Sequence, residues 1–291
     1  MENNYSSVLE RIKPKKSLGQ NFLVDRNVAK KIVDSLETSP EDIIVEIGPG
    51  TGSLTEFLAD RNCNLVLVEI DKRAIDILKK KFSHISKIRL INEDFTKTDL
   101  QQILYSYDKD SNYIKSFDQS LSKKKIKIIG NIPYYISSQV LFKIFDNSEI
   151  IQSSILTLQK EVAQRLTASC GSKEYGILSL ATKINAEAKI LFDIPPSCFF
   201  PPPKVVSSVI DLKIQRKFTK FEFDEIMILI RTAFNQRRKM IKNSLKEYIS
   251  LRVSNEKDFA KIMQRIEFYL HKRPEELSYI DYKVLYDSIN K

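Results

Sequence analysis

A doubly wound, mostly parallel α/β sheet followed by a small all-helical domain is the fold this 291-residue sequence predicts. Three observations predict it. Short apolar runs alternate with amphipathic stretches through the first half of the chain. Three of only seven glycines fall together between one such run and the stretch after it. From Phe221 onward, apolar residues recur only at helical spacing.

The elements follow in order. Val28, Ile32, Val33 and Leu36 form one stripe, which predicts a helix over 27–36. Ile43–Ile47 reads as a buried strand and Leu54–Arg61 as the helix after it. Leu65–Glu69 is a second strand, Arg73–Phe82 a second crossover helix and Ile88–Ile91 a third strand. Ile126–Ile129 and Ile155–Leu158 are the fourth and fifth. Their near-continuous apolar character suits strands covered on both faces. Residues 105–125 break the rhythm with Ser, Asp, Lys and Asn, which predicts a polar surface insertion. Prolines 195, 196 and 201–203 make a second break. Beyond it, 205–214 alternates apolar and polar as a last strand. Helices are then expected over 223–248, 257–270 and 274–289, so the domains divide as 1–217 and 218–291.

Composition excludes several classes. No apolar run reaches the roughly 18 residues of a spanning helix. Residues 1–16 are polar and basic, so no secretory signal is expected. Cys63, Cys170 and Cys198 are too dispersed for a disulfide framework or a metal cluster, which fits a reducing cytoplasm. The net charge of +10 favours a polyanionic partner, either nucleic acid or a membrane surface. Where the charge sits must decide between them.

The glycine cluster lies in "EIGPGTGSLTEFL", at a strand-to-helix turn. Gly48 and Gly50 let a ligand approach the backbone closely. The spacing is G-x-G-x-G, and Glu46 precedes it. A carboxylate there opposes a pyrophosphate and favours a cationic or amino-bearing ligand. Glu69, at the end of the second strand, can accept both hydroxyls of a ribose. Asp94, past the third strand, can accept from an adenine amino group. Either acid alone reads as well as a helix cap or a solvated strand end. Together with the glycines they predict an adenosine without phosphate, S-adenosylmethionine, at the carboxyl edge of the sheet.

The fourth strand ends in "GNIPYYIS", residues 130–137. Asn131 carries an amide, and the carbonyl before Pro133 is a second acceptor. Two acceptors converging on an aromatic amine hold it in the geometry from which its nitrogen attacks a methyl group. Tyr134 offers a face for a base drawn out of its helix. Taken without the glycine loop, the same stretch reads as a strand ended by proline, with Asn131 capping the next helix.

These motifs, in order, resemble the KsgA-type rRNA adenine N6,N6-dimethyltransferases over nearly the whole chain. "KKSLGQNFLVD" at 15–25 is similar to that family's N-terminal motif, which implies that Asn21 and Leu23 contact S-adenosylmethionine. "EIGPGTGSLT", "VEID" and "NED" resemble its glycine loop, ribose-binding acid and adenine-contacting acid. "NIPYYIS" resembles its catalytic motif. "LQKEVAQRL" with "SKEYGILS" resembles a stretch typical of the family. "FFPPPKVVSSV" resembles F-x-P-x-P-K-V-x-S, which implies Phe199 as a second aromatic beside Tyr134, in preference to Phe200. "AFNQRRKMIKNSL" resembles the start of its helical domain. The insertion at 105–125 is longer than the pattern, and Ile132 replaces its commoner Leu.

The resemblance implies an S-adenosylmethionine-dependent enzyme; the dispersed cysteines add the expectation of no metal and of the cytoplasm, and a monomer is the default while the oligomeric state stays open. Its substrate would be two adjacent adenosines near the 3′ end of 16S rRNA, within the small ribosomal subunit or an assembly intermediate. Lys15, Lys16, Lys204, Arg237, Arg238, Lys239 and Lys242 would bind RNA phosphates. On charge alone "QRRK" reads equally as a solvated helix face. Three other readings compete: a resistance-type methyltransferase of large-subunit rRNA, a non-enzymatic RNA-binding assembly factor on the same fold, and a DNA adenine methyltransferase. No target-recognition domain favours the last.

Overall fold

The computed structural model describes residues 12–107, 124–253 and 255–290, so most of the polar insertion expected at 105–125 lies outside the described residues. The chain divides into two compact units. One holds residues 1–163 and 188–214, the other residues 164–187 and 215–291. Residues 164–187 therefore pack with the C-terminal helices, an arrangement that a single division after residue 217 does not describe.

The first unit is built on a mixed sheet. Strands β2 (Ile43–Ile47), β3 (Asn64–Val68), β4 (Ile88–Ile91), β5 (Ile126–Asn131) and β6 (Ile151–Gln159) are joined by parallel pairings. Strand β9 (Ser207–Ile214) runs antiparallel to β6, and β7 (Ala186–Ile194) closes that edge. The order is β4-β3-β2-β5-β6-β9-β7. All of β2 is buried, which explains its unbroken apolar run. Helices α1 (Arg26–Asp34) and α3 (Lys72–Phe82) start at Asp25 and Asp71, whose carboxylates accept from backbone N–H groups of the first turn. Ile32, Val33, Leu58 and Leu78 from the helices meet Ile44, Leu65, Leu67 and Ile129 of the sheet in one core.

Strands β1 (Phe22–Leu23) and β8 (Phe199–Phe200) form a separate two-stranded ribbon. Leu23 pairs with Phe199 and Phe22 with Phe200. Side chains alternate along a strand, so the two pairs lie on opposite faces. Leu23 and Phe199 enter the main core. Phe199 is 3% exposed and Phe200 46%.

The second unit is helical. Helix α8 (Lys220–Phe234) begins with a capping box between Thr219 and Glu222. It buries Phe223, Ile226, Met227, Leu229, Ile230 and Ala233. Tyr175 and Tyr282 are buried, and their hydroxyls donate to the carbonyls of Leu277 and Pro274.

Several elements differ from the sequence expectation, among them the helices at 100–107, 137–146, 160–167 and 177–185, which it did not include, and the expected helix over 257–270, which is Glu256–Arg265 followed by Glu267–Leu270. The single helix over 223–248 is two, α8 and α9 (Ile241–Ser250), separated by 235–240. Gln236, Arg237, Arg238 and Lys239 place no apolar residue on the core stripe there, so the helix stops. Strand β7 was not expected; much of it is exposed at the sheet edge, and its pattern lacks a clean alternation. The ribbon strands are only two residues each, below the length at which periodicity speaks.

Phe199→Ala is expected to cost about 3–5 kcal/mol of stability, the range for a buried phenylalanine truncated in a core. Urea unfolding checks it, with Phe200→Ala as the exposed comparison.

Candidate active site

The sheet reverses direction at β2. The chain runs outward through β3 and β4, then returns to β5 on the other side. In open α/β sheets the crevice at such a point, outside the carboxyl ends of the strands, is where ligands bind. Ile47 pairs with Val68 on one side and Gly130 on the other, so the loops after three strands begin at one level. They enclose a cavity of about 240 Å³.

Its walls hold nearly every residue the sequence singled out for catalysis or cofactor binding. Asn21, Leu23, Gly48, Gly50, Glu69, Asp94, Asn131, Pro133 and Tyr134 all line it. Phe199 does not: it is buried in the core beside Leu23, its partner on the opposite strand, and it is not among the residues that line the cavity. Lys15 and Lys16 sit on the turn that leads into Gly19. Lys204 lies between β8 and β9. Arg237, Arg238 and Lys239 occupy the break between α8 and α9, and Lys242 the first turn of α9.

The glycine loop is held by a buried acid. Glu69 is 4% exposed. One of its carboxylate oxygens accepts from the Gly50 N–H at 3.0 Å and the other from the Asp71 N–H at 2.8 Å. A carboxylate has about four acceptor positions, so both oxygens keep capacity for a ligand's hydroxyls. Burial raises the Glu69 pKa, and the two N–H groups oppose that rise. Gly50 has φ +56°, and a Cβ there would meet the Phe22 ring at 3.0 Å. Both facts demand glycine. At Gly48 a Cβ would meet nothing within 4 Å, which leaves a ligand free to lie against the backbone.

Glu46 is 1% exposed, and its carboxylate accepts from the Thr55 hydroxyl at 2.8 Å. Burial pushes its pKa up to about 8; the Glu69 charge adds a smaller rise against the lowering by Thr55. In contrast, Asp71 is held well below the usual carboxylate range by the Arg73 guanidinium, with a contribution from Gln20. Gln20 was not singled out, although it lies inside the quoted "LGQNF". Its amide donates to Asp71 and its carbonyl accepts from the Lys15 N–H, so it fastens the N-terminal motif to the start of α3.

On the other wall, the Asn131 amide donates to the Asn21 carbonyl at 2.9 Å. Among the described residues its own carbonyl oxygen accepts no hydrogen bond, and it is free toward the cavity. The Tyr134 hydroxyl shares a 2.7 Å hydrogen bond with Ser207. Burial raises the tyrosine pKa, so the ring stays a neutral phenol. Asp94 accepts from both the N–H and the hydroxyl of Thr96 through one oxygen, which fixes the carboxylate at the cavity wall. Among the described residues no three His, Cys, Asp or Glu side chains gather as a metal site.

The profile of ribosomal RNA adenine dimethylase matches residues 11–277. The chain belongs to this family. Among curated proteins, a ribosomal RNA small subunit methyltransferase A from Malacoplasma penetrans is 39% identical over 85% of this chain and 84% of its own length. One from Staphylococcus haemolyticus is 36% identical over 94% and 89%. Among solved structures, a dimethyladenosine transferase from Plasmodium falciparum superposes with a TM-score of 0.76 at 25% identity, covering 91% of this chain and 96% of that one. The 23S rRNA methyltransferase ErmE, at 22% identity and a TM-score of 0.64, shares the fold; the match covers 93% of this chain and 100% of that one.

The sign of the Glu46 effect on stability is fixed by its raised pKa. The folded protein keeps this proton up to about pH 8, whereas the unfolded chain loses it near 4.5. Folding is therefore favoured by this group below 4.5 and loses about 1.4 kcal/mol per pH unit as pH rises towards 8. Glu46→Gln is expected to gain stability relative to the native protein between pH 5.5 and 8, with no further gain above. Urea titrations at pH 5.5, 7 and 8.5 check it.

Proposed function

We propose that this chain transfers methyl groups from S-adenosylmethionine to N6 of two adjacent adenosines near the 3′ end of 16S rRNA, two to each. It does so in the cytoplasm as a single chain acting on the small subunit or an assembly intermediate. One observation carries the reading. A pinned amide, Asn131, and a ribose-competent carboxylate, Glu69, line one cavity across a backbone loop that only glycine permits.

Glu69 accepts the ribose hydroxyls, Asp94 the adenine amino group, and Gly48 and Gly50 lie against the rest of the cofactor. Asn21 and Leu23 cover it. Glu46, which lines the same cavity, is assigned to the amino end of the methionine, whose positive charge would favour release of the proton that burial makes it keep. Bound there, the cofactor supplies an electrophilic methyl group. The protein's part is positioning and desolvation of the amine that receives it. In the first transfer the Asn131 carbonyl and the Ile132 carbonyl, the latter preceding Pro133, each accept one N6 hydrogen; in the second, one of them accepts the single hydrogen that remains. Held in this way, the nitrogen lone pair is turned out of the ring plane toward the methyl carbon. As the new N–C bond forms, the S–C bond breaks, and the ammonium then sheds its proton to solvent without a dedicated base. Tyr134 stacks on the base. With Phe199 in the core, stacking falls to Tyr134, and Phe199 supports Leu23 from the opposite strand.

RNA phosphates are assigned to Lys15, Lys16, Lys204, Arg238, Lys239 and Lys242. Arg237 is partly engaged already: it donates to the Lys173 carbonyl at 2.7 Å and faces Glu275 at 3.8 Å.

Labelled S-adenosylmethionine and small subunits lacking adenine dimethylation test the reaction, with mass spectrometry of the RNA 3′ region. Dimethyladenosine at two neighbouring positions is the expected result. Transfer only to naked large-subunit RNA would replace the substrate. Cofactor binding without transfer to either RNA would revive the assembly-factor reading. Asn131→Ala is expected to lower turnover by two to three orders of magnitude, on the order of the loss when one preorganised polar group is removed, at unchanged cofactor affinity. Turnover within about threefold of the native enzyme would reject that role.

The double variant Arg238→Ala, Lys239→Ala should flatten the slope of log affinity against log salt by about 2, one unit per lost phosphate contact, with an unchanged melting temperature. An unaltered slope would remove these two residues from the interface. Arg237→Ala should lower the melting temperature instead, because its partners are within its own unit.

A further inference from the structure

Tyr135, the residue after the proposed stacking tyrosine, does none of the work assigned so far. It lines the cavity and yet is 60% exposed. Among the described residues its hydroxyl has no hydrogen-bond partner. Its ring edge lies over Gly19, where a Cβ would stand 2.8 Å from Cδ1 and 3.1 Å from Cε1. Gly19 has φ +55°, the left-handed conformation, and ends the turn that carries Lys15 and Lys16. The chain thus uses a glycine both to reverse direction and to seat an exposed aromatic ring at the mouth of the site.

A ring left open to water beside lysines is the arrangement that single-stranded nucleic acid recognises, with a base on the ring and phosphates on the cations. Lys16 is exposed, with no ion pair among the described residues; Lys15 reaches Asp71 at 3.8 Å, with half of its side chain exposed. We infer that Tyr135 is the stacking platform for the nucleotide adjoining the target adenosine, with Lys16 on its phosphate. This rests on the proposed RNA substrate. A base flipped into the cavity leaves its neighbour unstacked at the mouth. Where the target is a pair of adenosines, that neighbour is the other target, so Tyr135 would hold each one while its partner reacts.

Two readouts on the full-length protein test this. With small subunits as substrate, Tyr135→Ala should raise KM about tenfold, with the Kd for S-adenosylmethionine and the melting temperature unchanged; Tyr135→Phe should restore KM, because stacking needs the ring and not the hydroxyl. Tenfold corresponds to ~1.4 kcal/mol, within the range for one base on one aromatic ring. The second readout is independent of methyl transfer. An oligoribonucleotide with 2-aminopurine beside the target adenosine should be quenched by the native protein and by Tyr135→Phe, and left bright by Tyr135→Ala. Native-like KM in Tyr135→Ala, or equal quenching by all three proteins, would overturn the inference. So would a loss of cofactor affinity or of melting temperature in Tyr135→Ala, which would make the residue a cofactor contact or a packing element. Absence of methyl transfer by the native protein, with quenching as expected, would reject the substrate and leave Tyr135 standing.

Discussion

The candidate site depends on the parallel pairing of β2 with a strand on each side. A parallel ladder fixes where each strand ends relative to its neighbours. Because Ile47 faces both Val68 and Gly130, the glycine loop, Glu69 and Asn131 start from one level without any further device. Gly130 is part of this constraint: a Cβ there would stand 2.8 Å from the Ile47 carbonyl oxygen. A one-residue slip of β5 would turn Asn131 away from the cavity and bury a different set of side chains. The apolar burial of five central strands is what forbids the slip. The hydrophobic core and the active-site geometry are in this sense one structure.

That scaffold allows the site to carry charge at a cost. Glu46 and Glu69 are both nearly excluded from water, and among the described residues neither has a cation as its partner. Burying an ionised carboxylate without one is unfavourable, which is why both groups titrate upward. Asp71, one loop away, shows the alternative: paired with Arg73, it stays ionised and serves the architecture. The distinction separates an acid neutralised by its own cation from two acids left without one among the described residues. A polar ligand that donates to Glu69 and Glu46 would recover part of the desolvation cost, so ligand binding and stabilisation of the loop are coupled.

The fold was legible because most of its strands are buried on both faces and therefore spell themselves as apolar runs; β2 was readable to the residue. Where burial is incomplete the reading fell away. Strand β7 runs along an edge with much of its surface in water, and the helices at 137–185 are too mixed in pattern to declare themselves beside the motifs they carry. The site was legible where chemistry demands a residue type, as at Gly48, Gly50, Glu69 and Asn131. Phe199 shows where motif spacing runs out. The family pattern names Phe199 over Phe200, but which of the two faces the core depends on the pairing of a two-residue strand with Leu23, a contact between positions 176 residues apart.

The helical unit poses the complementary problem. Its basic stretch reads as a continuous charged helix face, yet the chain stops being helical there. Three successive cations would project around a helix in different directions. In the turn between α8 and α9 they are freed from that periodicity, and one of them, Arg237, is drawn back to the Lys173 carbonyl. The Ile241 N–H donates to the Lys272 carbonyl, which anchors the far end of the turn on another segment of the same unit. The loop is thus tied at both ends while Arg238 and Lys239 remain exposed. An anchored loop loses less entropy on meeting a polyanion than a free basic tail does. The break in the helix thus separates the cations that packing leaves exposed from the one it recruits.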